Sequence, residues 1–224
     1  MIWCSDNTDA SSRLKIQYGS SLLYPIRSMG CHVSQSPNHI TGAATSARTR
    51  GFVALSGCFG FELDLSETSD EDNEIFRSQI KLFKEYHPII HWGDFYRLWS
   101  PFEVNYAAWM FVKRDKTEAL IFAFNLNSDH WSILVPRLHC QGLIPEYDYE
   151  ITEPIPNNVF QASSNLRIER SDDPIYQLGY KSIQLSGAIL MKAGLPIKFF
   201  TLDDSVLFHL KATNTIEKHR KSSK

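Results

Sequence analysis

Two carboxylates stand close together near the start of the chain. A short apolar entry leads into Ser5 and Asp6, and Asp9 follows three positions later. This order predicts the end of a buried strand that turns into a helix. A carboxylate at the C-terminal end of a parallel strand lies where α/β enzymes hold their ligands. Asp6 could therefore serve as a general acid, which needs a second group on the other side of the bond that breaks.

The same two aspartates also have a structural interpretation. Asp6 and Asp9 can form Asx turns and cap a helix predicted over residues 8–18, with Gly19 at its end. Taken alone, the spacing favours this capping role.

Histidines offer two weaker sites. His32 and His39 share a polar segment over residues 30–39, which the Gly, Ser, Pro and Asn content predicts to be a long surface loop. His87 and His91 are four positions apart, the spacing of metal ligands on a helix. Pro88 lies between them and no glutamate accompanies them, so we predict no metal site.

Composition restricts the class of protein. The chain has 224 residues, of which 43% are hydrophobic and 12% aromatic, as expected of a packed globular core. The net charge of -2 gives no basic field for nucleic acid. No apolar run is long enough to span a membrane, and no signal-peptide pattern is visible, which favours the cytoplasm. The four cysteines contain no CxxC pair and are predicted to be buried free thiols.

The pattern of elements changes near residue 100. Before it, the sequence predicts strands at residues 22–26 and 59–65 and a helix from residue 70 to about 86, stopped or kinked by Pro88. Residues 50–56 fit a helix or a strand equally well. After it, short apolar runs at regular spacing predict an antiparallel sandwich. We divide the chain into residues 1–99, 100–212 and a polar basic tail at 213–224.

Several segments together form a recognisable family pattern. The most specific is Trp-Cys-Ser-Asp-Asn-Thr-Asp-Ala at residues 3–10, and further segments lie at 13–19, 29–34, 37–39, 49–51, 59–65, 93–98 and, more loosely, 186–195. This pattern resembles glycoside hydrolase family 36, the microbial and fungal-type α-galactosidases. The resemblance implies an α/β plus all-β fold: the C-terminal part of a (β/α)8 barrel followed by an antiparallel β-sandwich domain.

The resemblance also implies a reaction and a site. The reaction is the retaining removal of terminal α-galactosyl residues from oligosaccharides such as raffinose or melibiose. Asp6 would be the acid/base, and Cys4, Ser5, Asp9 and His32 would be substrate-binding positions. An α-galactoside oligosaccharide and a family-type homo-oligomer are the implied partners, with no cofactor and no metal.

One part of the family pattern is missing from the sequence. In family 36 the nucleophile is the aspartate of a Lys-Trp-Asp segment, and no such segment occurs in the chain. We expect it to precede Met1 in the whole enzyme, because about 99 residues supply only the last three βα units of a barrel. We therefore predict little or no turnover by this chain alone, and keep open assembly with a separately encoded N-terminal half.

The alternative is a non-catalytic carbohydrate-binding or interaction module. Its binding platform would be exposed aromatic side chains of the sheet, among Trp109, Phe111, Phe122, Phe124 and Trp131.

Overall fold

A computed structural model describes residues 1–126, 135–154, 183–199 and 204–214. Trp131 and most of the basic tail lie outside the described residues. The helices are α1 (Ala10–Ser20), α2 (Ala47–Leu55), α3 (Asp70–Trp92) and α4 (Gly187–Lys192), with single 3-10 turns at Ile26–Ser28 and Leu65–Glu67. The strands are β1 (Gly30–Ser34), β2 (Cys58–Glu62), β3 (Asp94–Trp99), β4 (Tyr106–Val112), β5 (Glu118–Asn125), β6 (Arg137–Leu138), β7 (Asp148–Thr152), β8 (Ile183–Ser186), β9 (Leu195–Pro196) and β10 (Ser205–Asn214).

The first part of the chain is a parallel βα arrangement. Strands β1 and β2 pair in parallel, and Ile2 forms a further parallel bridge to Met29 beside them. Along β1, Cys31 and Val33 are fully buried in the core that includes α1 and α2. Side chains alternate between the two faces of a strand. His32 therefore lies on the opposite face of the strand, which we call the inner face.

Three predictions for this part are wrong. Residues 22–26 form no strand: Leu22 and Leu23 are exposed in a turn, which a 3-10 helix follows. A strand, β1, forms instead inside the segment predicted to be a long loop. Glycine and serine occupy two of its five positions, so the sequence lacks a clear alternation of apolar and polar residues. Helix α3 also extends past residue 86 to Trp92, so Pro88 does not stop it, whereas a kink there stays a prediction. Pro88 lies on an exposed side, where water can bond to the carbonyl that loses its donor.

The second part is an antiparallel sheet with the strand order β3-β4-β5-β10-β7-β8 among the described residues. One face packs against α2 and α3, and the other against β6, β9 and α4. The sheet begins at Asp94, because β3 pairs with β4. The predicted boundary between two domains, after residue 99, therefore follows the first strand of this sheet, and it stays a prediction.

Burial on both faces excludes the four described members of the aromatic platform. Trp109, Phe111, Phe122 and Phe124 are all 0% exposed and belong to the core shared with α2 and α3. The prediction that they form a carbohydrate-binding surface is wrong, because the helices of the first part cover that face. The four cysteines are free, as predicted, but Cys4 and Cys58 are only partly buried. Burial raises the pKa of the Cys31 thiol to about 12.

A polar cluster joins α3 to the sheet. His209 Nε2 lies 3.2 Å from Glu118 Oε2, and its Nδ1 lies 3.4 Å from the Tyr86 hydroxyl. Lys113 donates to Glu118 Oε1 at 3.0 Å. Burial lowers the pKa of His209, and the neighbouring Glu118 carboxylate only partly opposes this effect.

The lowered pKa of His209 predicts a pH-dependent stability. The ordinary pKa of histidine is about 6.5. As the pH falls below this value, His209 binds a proton in the unfolded chain more readily than in the folded chain. The free energy of unfolding should therefore decrease as the pH falls from 7.5 to 5.5. Urea unfolding of the native chain and of His209→Gln measures this contribution. The native chain should lose more stability than the variant, and parallel pH profiles would contradict the prediction.

Candidate active site

The segment before α1 runs beside β1 and ends at its C-terminal edge. Gly30 N donates to Ile2 O at 2.9 Å, which fixes the segment in a parallel register. The chain then turns, with Asn7 N donating to Ser5 Oγ and Asp9 N donating to Asn7 Oδ1, both at 3.0 Å. Asp6 thus lies at the C-terminal edge of the parallel strands, where α/β barrels place their catalytic groups.

Asp6 is exposed at this edge and points away from the hydrocarbon core. The indole Nε1 of Trp3 donates to its Oδ1 at 2.8 Å. Among the described residues, no donor bonds to Oδ2. The carboxyl therefore has one oxygen held by the protein and one open to a ligand, as a general acid requires.

Asp9 is buried, at 4% exposure, and is the N-cap of α1. Its Oδ2 accepts from Ser12 N at 2.9 Å. The capping role proposed from spacing is therefore correct for Asp9, although the helix begins at Ala10 rather than at residue 8. Its Oδ1 is buried without a hydrogen-bond partner in the part of the chain described here. A contact of Asp9 with sugar stays a prediction.

The other predicted site residues lie on different sides of the segment. Cys4 is half-buried against the apolar core, so its side chain is directed away from the inner face. Ser5 accepts from the backbone in the turn. His32 faces the same side as Trp3, with the two ring centroids 5.2 Å apart. The structure thus brings His32 towards Asp6 through Trp3. Substrate contacts of Cys4, Ser5 and His32 stay predictions.

A clamp that sequence reasoning missed holds the segment in place. Ser34 Oγ donates to Thr8 O at 2.9 Å, and Asn38 Nδ2 donates to Thr8 Oγ1 at 3.2 Å. Asn38 Oδ1 accepts from the backbone of Ile40 and Thr41. In the sequence, the Pro-Asn pair at residues 37–38 is the one signal of this clamp, because such a pair marks a turn. The loop after β1 therefore fixes the chain immediately beyond Asp6.

The clamp predicts an effect of Asn38→Ala on stability. Asn38 is 4% exposed, so truncation leaves buried groups without partners and should cost about 1–3 kcal/mol. Urea unfolding measures the loss. The neighbouring His39 is exposed, and His39→Ala is the control, with an expected change within about 0.5 kcal/mol. Equal losses for the two variants would contradict the clamp.

In the described ranges, no three His, Cys, Asp or Glu side chains are grouped so as to hold a metal ion. His87 and His91 stack, with ring centroids 4.0 Å apart. No helix described here has the length and apolar character needed to cross a bilayer.

Comparison with known proteins gives the family. The Melibiase family model matches residues 1–93, and the model of the glycosyl hydrolase family 36 C-terminal domain matches residues 106–210. The chain belongs to glycosyl hydrolase family 36. Alpha-galactosidase AgaA of Geobacillus stearothermophilus is 49% identical over 149 residues, which are 66% of this chain and 20% of that relative. The family 36 chain thus spans about a fifth of the length of this curated relative.

Solved structures of family 36 enzymes confirm the fold. The crystal structure of α-galactosidase AgaB from the same organism has a TM-score of 0.77 and 39% identity, covering 94% of this chain and 25% of that one. A variant of AgaA in complex with raffinose also has a TM-score of 0.77, with 38% identity, covering 93% of this chain and 25% of that one. The predicted fold class, a C-terminal barrel part followed by an antiparallel β domain, is therefore confirmed.

Proposed function

We propose that this chain supplies the general acid/base of an α-galactosidase, together with the C-terminal part of its barrel. The substrates are oligosaccharides with a terminal α-galactosyl residue, of the raffinose or melibiose type. The exposed carboxylate of Asp6 at the C-terminal edge of the parallel strands carries this proposal. The name of the relative AgaA and the raffinose complex of its variant support the substrate class.

In this proposal Asp6 acts twice. It first protonates the glycosidic oxygen as that oxygen leaves, and then removes a proton from the water that attacks the galactosyl-enzyme intermediate. A retaining glycosidase needs its second carboxylate about 5 Å away as the nucleophile. Asp9 does not fit that role, because it caps α1 through Oδ2. The resemblance assigns the nucleophile to a Lys-Trp-Asp segment, which this sequence lacks, so in this proposal a second polypeptide supplies it.

Complementation tests the proposal directly. The chain is co-expressed with the part of Geobacillus stearothermophilus AgaA that precedes the matched region, and the pair is purified together. We expect galactose release from raffinose by the pair. A soluble, folded pair without activity would contradict the proposed function.

The separate chain should be inactive. Without a nucleophile, we expect turnover of a nitrophenyl α-galactoside at least about 10⁴-fold below that of the pair. Nitrophenolate release by the purified 224-residue chain measures this difference. Turnover by the chain alone at the rate of the pair would overturn the assignment of roles.

A homo-oligomer of the assembled enzyme, as the resemblance implies, is part of the same proposal. Light scattering on the purified pair measures its mass. A mass equal to a single copy of each part would contradict the proposed homo-oligomer.

A further inference from the structure

We propose that Trp3 is a positioning residue for Asp6 and that His32 fixes the plane of its indole. The catalytic consequence rests on the proposed function, whereas the contact itself belongs to this chain. The hydrogen bond from Trp3 Nε1 to Asp6 Oδ1 is 2.8 Å long, so it has the geometry of a strong charge-assisted bond. It holds one carboxyl oxygen and leaves the other to exchange a proton.

An exposed tryptophan needs support to hold another side chain. Trp3 is 50% exposed, and its ring lies against the ring of His32 at 5.2 Å, with 35° between the planes. His32 Nδ1 in turn lies 3.7 Å from Glu62 Oε2. The contacts therefore run from Glu62 through His32 and Trp3 to Asp6, across the inner face of the parallel strands.

Two glycines leave room for the imidazole. Gly60 is the register partner of His32 on β2. A Cβ atom at Gly60 would lie 2.7 Å from His32 Cδ2, and one at Gly30 would lie 3.3 Å from His32 Cε1. Any larger residue at Gly60 would displace the ring that supports Trp3. The position of Asp6 thus depends on a glycine two strands away.

The first test detects the contact without any turnover. Nitrogen-15 spectra of the full chain show the indole N–H resonances of its five tryptophans, and Trp3→Phe identifies that of Trp3. Asp6→Asn and Gly60→Ala should both move this resonance. Gly19→Ala is the matched control, because the nearest atom to its Cβ, Phe102 Cζ, lies 3.9 Å away. His32→Ala replaces Gly60→Ala if that variant does not fold.

A Trp3 resonance unmoved by Asp6→Asn would overturn the proposed bond. If Gly60→Ala, or His32→Ala in its place, moved it no more than Gly19→Ala does, the supporting role of His32 would be wrong. Neither result depends on the activity of the assembled pair.

The second test separates positioning from general damage to the fold. Melibiose has a basic leaving group that needs protonation, whereas dinitrophenolate leaves without it. In the pair, Trp3→Phe keeps a ring against His32 but loses the N–H donor. We expect kcat/KM to fall about 10-fold on melibiose and less than about 2-fold on a dinitrophenyl α-galactoside. Equal losses on both substrates, or no loss on melibiose, would refute positioning.

Discussion

Asp6→Asn should lower kcat/KM on raffinose by about 10³-fold in the assembled pair, because the amide can neither donate the proton nor take it back. On a dinitrophenyl α-galactoside the first step needs no acid, so the loss there should fall mainly on the second step, the attack of water. Initial rates on the two substrates measure the difference. Asp70→Asn is the control, since Asp70 is also exposed but lies in the first turn of α3.

Azide provides a sharper readout of the same variant. It attacks without general-base help, so it should restore turnover of the dinitrophenyl substrate by Asp6→Asn and yield an α-galactosyl azide. The α configuration follows because azide enters from the face that the leaving group vacated, which is the face of the acid/base in a retaining enzyme. No restoration, or a β-galactosyl azide, would contradict the role of Asp6.

The elements that the sequence predicts well are those with local signals. The acidic first turn and the apolar spacing identify α3, and Ser69 is indeed its N-cap. Helix α2 could not be assigned because all nine of its residues are buried. A helix surrounded by protein has no polar face, so the 3.6-residue period disappears. Arg48 and Arg50 of α2 are buried too, although charged residues in a sequence usually indicate exposed positions.

The candidate site also has a part that local sequence patterns predict and a part that they do not. Asp6 could be found because a short apolar entry followed by a carboxylate is a local pattern, and the resemblance adds its role. The contacts of Thr8 with Ser34 and Asn38 join residues 26 and 30 positions apart. Such side-chain bonds depend on how β1 lies beside the first segment, which no local pattern encodes. The support of Trp3 by His32 was missed for the same reason.

Trp109→Ala should lower the free energy of unfolding by about 3–5 kcal/mol, the range for a large aromatic side chain removed from a core. Trp109 on β4 is fully buried, and its Nε1 donates to Ser56 Oγ at 2.8 Å, at the C-cap of α2. The variant therefore leaves a cavity between the sheet and the βα part and removes a hydrogen bond that joins them. Urea unfolding followed by circular dichroism measures the loss.

Trp92→Ala is the matched control, because Trp92 ends α3 at 58% exposure and has Arg27 over its ring. Its expected cost is below about 1 kcal/mol. If the βα part and the sheet unfold as one unit, Trp109→Ala shifts a single transition seen by both tryptophan fluorescence and far-ultraviolet dichroism. Two separate transitions, or equal costs for the two variants, would mean that the shared core does not join the barrel part to the β domain.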